Sequence, residues 1–169
     1  MIKIELSPQQ SGVCWTSGGL RMLILPAGYL GSMLFGGLIL VIASRTKLDK
    51  AVSIIIGGIV VFIALFFVSN IFGKAFSILF GLILIIIGTF TPVIVNDLIL
   101  KIIGLSSILY AIFDIKDDLI FRTVPGSDAY AMSEIIPLPP VLWGIIWIIL
   151  AIFASIFFLK IASSKKSAT

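Results

Sequence analysis

The chain reads as an all-α multi-pass membrane protein, with about five transmembrane helices preceded by a short β-hairpin. Three observations predict this. The sequence is 60% hydrophobic and only 12% charged, where a soluble globular domain averages about 25% charged. The apolar residues fall into runs long enough to cross a hydrocarbon core of about 30 Å. The first residues, by contrast, alternate apolar and polar with the two-residue period of a strand.

Residues 2–6 read IKIEL, so Ile2, Ile4 and Leu6 share one face and Lys3 and Glu5 the other. Pro8 and Gly12 supply turn chemistry. Val13, Cys14, Trp15 and Thr16 form a second strand, closed by Gly18 and Gly19. A lone hairpin is marginal in water, so this one, within residues 1–20, is expected to lie on the bilayer interface or on the membrane helices. Trp15 suits an interfacial anchor, and Cys14 reads as a small apolar filler.

One transmembrane domain is expected over residues 21–160, with spans near 22–43, 51–69, 75–95, 98–114 and 141–159. In the first span Gly28, Ser32 and Gly36 recur every fourth residue. That spacing makes a smooth face on which a neighbouring helix can pack closely. Pro92 is expected to kink or end the third span. The fourth is short: sixteen residues separate Asp97 from Asp114, about 24 Å of helix. Either it thins the bilayer or it continues past Asp114 and carries acid into the membrane edge. A polar loop follows over 115–140, where Ser127 and Asp128 are placed to cap a short helix. Trp143 and Trp147 mark an aromatic belt at the start of the last span, and 161–169 reads as a basic, disordered tail.

Composition also excludes chemistry. There is no histidine, which removes the commonest zinc ligand and general base. One cysteine permits no intrachain disulfide. The net charge of +4 lies in short loops, a pattern that fits topology signals and not nucleic-acid binding. With five spans, Arg45, Lys47, Lys50, Lys101, Lys160, Lys165 and Lys166 share a side; Lys3, Arg21, Lys74, Lys116 and Arg122 share the other. The excess places the C-terminus in the cytosol of an unspecified membrane.

Asp114, Asp117 and Asp118 are spaced i, i+3, i+4, on one helical face. Three like charges there point to a bound cation, to a buried partner, or to a solvated helix end with Lys116 and Arg122 as counter-charges. A small transporter or channel is a weaker reading, for want of an internal repeat or paired broken helices.

Three stretches, IELSP…SGVCWTSGG, AGYLGSMLFG and DIKDDLIFRTVPGSDAYA, resemble in order and spacing a branch of the site-2-protease-like intramembrane zinc metallopeptidases. The resemblance covers nearly the whole chain. It implies a hairpin that positions an extended substrate by strand addition, through Ile2, Ile4, Leu6, Val13 and Trp15. It also implies a membrane-embedded aspartate in a zinc site, best matched by Asp114, with Asp117 and Asp118 as rivals. In that family an HExxH helix upstream of the hairpin holds the metal and the general base. That motif does not occur in these 169 residues. The expectation is therefore a truncated or catalytically incomplete form: no catalytic residue, and no cofactor on its own. Zinc is expected only in a full-length relative carrying HExxH. The alternative is a non-catalytic scaffold or pseudoprotease. Its partners would be the lipid bilayer and transmembrane proteins, docked through the hairpin and the Gly28/Ser32/Gly36 face, with no nucleic acid.

Overall fold

A computed structural model describes residues 3–8, 12–117 and 127–164. Its elements run in the order β1 (Lys3–Leu6), β2 (Gly12–Trp15), α1 (Arg21–Arg45), α2 (Asp49–Phe66), α3 (Ile71–Phe90), α4 (Val93–Lys116), α5 (Asp128–Ile135) and α6 (Pro140–Ser163). Five helices, all but α5, are long and apolar enough to cross a membrane. Most of their large side chains face outward; Phe35, Ile71, Phe90 and Phe153 are each at least 70% exposed. In lipid that exposure costs nothing, because hydrocarbon replaces water as the solvent of the outer faces.

The chain divides into two compact units. The first comprises Met1–Gly19 and Lys47–Leu98, which hold the hairpin, α2, α3 and the first turns of α4. Here α2 and α3 form an antiparallel pair joined by residues 67–70, a tighter and earlier turn than the 70–74 region where the sequence pattern puts it. The pair meets through glycine. A Cβ built on Gly57 would stand 2.5 Å from the Gly81 carbonyl, and one built on Gly81 would stand 2.7 Å from the Gly57 carbonyl. Two backbones this close gain dispersion contact that no larger side chain permits, the chief attraction between helices in hydrocarbon. Pro92 ends α3 instead of kinking it: α3 stops at Phe90 and α4 starts at Val93.

The second unit comprises Leu20–Thr46 and Ile99–Thr169. Its core joins Met33 and Leu40 of α1, Ile108, Ala111 and Ile115 of α4, Ala129 and Met132 of α5, and Trp147, Ala151 and Phe158 of α6. Gly36 meets Gly104 and Ser107 of α4, and Gly37 meets the Phe158 ring. The Ser107 hydroxyl donates to the Ser32 carbonyl at 2.9 Å. Among the described residues, nothing lies within 4 Å of a Cβ built on Gly28. The close approach thus uses the C-terminal part of the small-residue face, and adds Gly37.

α4 resolves the short-span question. It has 24 residues and runs on to Lys116, about 36 Å at 1.5 Å per residue. Asp114 therefore lies within the helix and not beyond its end. Its first turn carries Asn96, whose amide nitrogen bonds back to the Ile87 carbonyl, the Thr91 hydroxyl and the Pro92 carbonyl at 2.9–3.3 Å.

The glycine contact in the first unit gives a direct test. Gly57→Ala is expected to destabilise the protein by about 1–3 kcal/mol through overpacking against backbone, whereas Gly58→Ala, which faces open space, is expected to be neutral or slightly stabilising. Thermal unfolding of both variants in the same detergent measures the difference.

Candidate functional site

The hairpin is built from short alternating strands, and its register is Lys3 opposite Trp15, Ile4 opposite Cys14, Glu5 opposite Val13 and Leu6 opposite Gly12. Its support is the turn between α2 and α3. The Ile4 amide donates to the Phe67 carbonyl and the Ser69 amide donates to the Ile4 carbonyl, both at 2.9 Å. This makes a single parallel bridge between Ile4 and Val68. One residue pair further on, Asn70 acts as a strand substitute. Its amide nitrogen donates to the Leu6 carbonyl at 2.7 Å, and its oxygen accepts from the Leu6 amide at 3.0 Å. β1 is thereby an inner strand, paired on both sides.

That pairing decides which backbone groups remain outward. In an antiparallel ladder, opposed residues alternate between bonded and non-bonded pairs. Since Ile4 and Leu6 spend their amides and carbonyls on residues 67–70, they belong to the non-bonded pairs with Cys14 and Gly12. The amide and carbonyl of Cys14 consequently point away from β1, along the outer edge of β2. β2 is exposed along its whole length; Val13 is 52% and Trp15 58% exposed.

The charged face of β1 has its own local chemistry. Lys3 Nζ lies 2.6 Å from Glu5 Oε1, and the Ser69 hydroxyl donates to the same oxygen at 3.1 Å. These bonds hold the Glu5 carboxyl below its ordinary value of 4.5, the Lys3 bond contributing most.

The acidic residues are placed differently. Asp114 and Asp117 are exposed at the C-terminal end of α4, beside buried Ile115. Asp118 lies outside the described residues, as does Ile2. Asp128 opens α5, where the Ser127 hydroxyl accepts from the Tyr130 amide at 3.3 Å, the cap its spacing predicts. Arg21 and Glu134 approach to 3.9 Å on the surface. Among the described residues, no group of three or more histidine, cysteine, aspartate or glutamate side chains could hold a metal ion.

The family model for peptidase M50B-like proteins matches residues 1–158. The chain belongs to the peptidase M50B-like family. No curated protein and no solved structure matches it. This M50B-like chain is an integral membrane protein, with the five apolar helices and N-terminal antiparallel hairpin that its sequence predicts. M50 peptidases are zinc-dependent, but the donors in this sequence do not fit a catalytic zinc. Such a site takes three protein ligands, usually imidazole or thiolate with a carboxylate. These 169 residues hold no histidine and one cysteine, and that cysteine is exposed.

Asn70 is the functional residue that residue patterns alone overlook. A polar residue between two apolar runs looks like any turn residue, and its use depends on where the hairpin lands. Asn70→Ala is expected to remove two ladder bonds, about 1–3 kcal/mol in all, and to raise amide exchange in β1 while α2 and α3 stay protected. The Glu5 carboxyl sets a pH dependence. Because its folded value is lowered, its contribution is present above 4.5 and is lost as pH falls through the depressed value. The protection of the hairpin amides, taken relative to their intrinsic exchange rates at each pH, is expected to fall on that acidification in the native protein, and much less in Glu5→Gln.

Proposed function

We propose that this M50B-like chain is a catalytically incomplete member of its family that binds extended segments of membrane proteins along the free edge of β2. The observation that carries this reading is the use of both Ile4 and Leu6 backbones by residues 67–70. A strand added to the sheet has one remaining edge, and the Cys14 amide and carbonyl are the pair that faces it. Backbone pairing supplies affinity in such complexes, while flanking side chains supply preference. Val13 and Trp15 flank Cys14 on the opposite face of the strand from it. Ile4 and Leu6 support the strand from behind; Ile2 shares their phase in the sequence alternation.

Peptide hydrolysis is not assigned to these residues, since no step can be built without imidazole or an equivalent donor set. Asp114 is the position we match to the family's acidic zinc ligand, with Asp117 and Asp118 as rivals. It becomes relevant only alongside an HExxH helix. The excess of basic residues beside the 44–50 loop and after α6 supports a cytosolic C-terminus.

The edge is testable through proline. An outward amide is not part of the hairpin's own ladder, so Cys14→Pro is tolerated by the fold at an edge position but denies an incoming strand its donor. A photoreactive residue at Val13 is expected to form adducts with single-span membrane proteins, several-fold fewer in Cys14→Pro. Unchanged adducts in Cys14→Pro would refute the edge assignment. Chelator-sensitive peptide cleavage by the purified chain would refute the incompleteness.

A further inference from the structure

The first unit contains a second polar feature, unrelated to the hairpin. Asp49 and Ser53 lie one turn apart on α2, and they are 2% and 0% exposed. They open a buried stripe that continues through Gly57 to Ala64. Among the described residues, neither Asp49 Oδ1 nor Ser53 Oγ has a hydrogen-bond partner. Asn96, at the start of α4, is fully buried as well, and among the described residues its Oδ1 also has no partner.

Packing brings these three residues to one end of the unit. A Cβ built on Gly88 of α3 would stand 3.0 Å from the Lys50 carbonyl and 3.2 Å from the Ile54 amide. The first turns of α2 therefore lie on the last turn of α3. Asn96 donates to Ile87, Thr91 and Pro92, at the same last turn. Those three bonds also orient the amide: its nitrogen is spent on acceptors, which leaves Oδ1 as an acceptor.

Buried polar atoms without partners are rare, and a bound ion or water is one of the few reasons for them. The chemistry of this set selects between occupants. A carboxylate, an amide oxygen and a hydroxyl are oxygen donors, with one proton to give among them. An anion is repelled by Asp49. Calcium takes six to eight oxygens, several from carboxylates, and a single carboxylate does not supply that. One positive charge matches one carboxylate.

We propose that Asp49, Ser53 and Asn96 bind a dehydrated alkali cation, Na⁺ or K⁺, that ties the N-terminal turn of α2 to the junction of α3 and α4. The carboxylate supplies the charge, and the two neutral oxygens replace part of the ion's hydration shell. The site would make the stability of this unit depend on the cation present. It requires nothing of the proposed strand edge.

The test uses the full chain in lipid nanodiscs, melted in NaCl, KCl and choline chloride at equal ionic strength. At least one alkali salt is expected to raise Tm by about 3 °C or more above choline, as saturation of a site requires. The difference is expected to vanish in Asp49→Asn and to shrink in Ser53→Ala. Identical melting of the native protein in all three salts would overturn the site and leave a buried water as its occupant. So would an undiminished salt difference in Asp49→Asn. If Asp49→Asn does not fold, the milder Ser53→Ala variant and equilibrium binding of radioactive Na⁺ to the native protein decide the matter, and absence of both effects overturns the site.

Discussion

The docking of β1 onto the turn between α2 and α3 governs what the rest of the hairpin can do. An isolated two-stranded sheet does not hold its shape unaided. Here four backbone-directed bonds, two from Ile4 and two from the Asn70 side chain, make β1 an inner strand. Two consequences follow from the same bonds. The hairpin is positioned by a membrane helix pair and not by lipid contact alone, and its single open edge is β2. Asn70 is suited to the task because its carboxamide carries one donor and one acceptor in the geometry of a peptide group.

Each unit meets the same difficulty in the same way. Apolar side chains gain little by leaving lipid for a helix interface, so attraction between helices depends on how closely backbones approach. Glycine pairs provide that approach: Gly57 with Gly81 in the first unit, Gly36 with Gly104 in the second. Buried polar atoms then become conspicuous, because hydrocarbon offers them nothing. The hydroxyls of Thr46, Thr89, Thr91 and Ser155 all turn back to carbonyls four residues earlier in their own helices. Against that background the unbonded oxygens of Asp49, Ser53 and Asn96 stand apart.

Membership of the peptidase M50B-like family and the absence of histidine pull the functional reading in opposite directions. M50 peptidases depend on zinc. This chain has acids at the end of α4 but lacks the nitrogen donors that make zinc binding tight. The proposed strand edge asks for none of those donors; it needs only backbone geometry and a supported sheet.

Much of the architecture was legible in residue order. Spans, hairpin strands and the Ser127 cap follow from periodicity and local hydrogen bonding, interactions of range four residues or less. The stop at Pro92 is equally local. Less was legible about the small-residue face: spacing marks Gly28, Ser32 and Gly36 alike, yet a packed helix touches only part of any face, and here Gly36 and Gly37 make the contact while Gly28 does not. Asn70, Asp49, Ser53 and Asn96 gave little signal, since a single polar residue near a span end is ordinary.

By itself the sequence determined that the chain lives in a membrane, that it carries five apolar helices behind a hairpin, and that it lacks imidazole; these depend on composition and short-range pattern. Only the tertiary structure decided which edge of the hairpin is open and which helix turns lie against one another. Both depend on contacts between residues more than 30 positions apart, Leu6 with Asn70 and Gly88 with Lys50, and no local rule encodes the pairing of segments that distant.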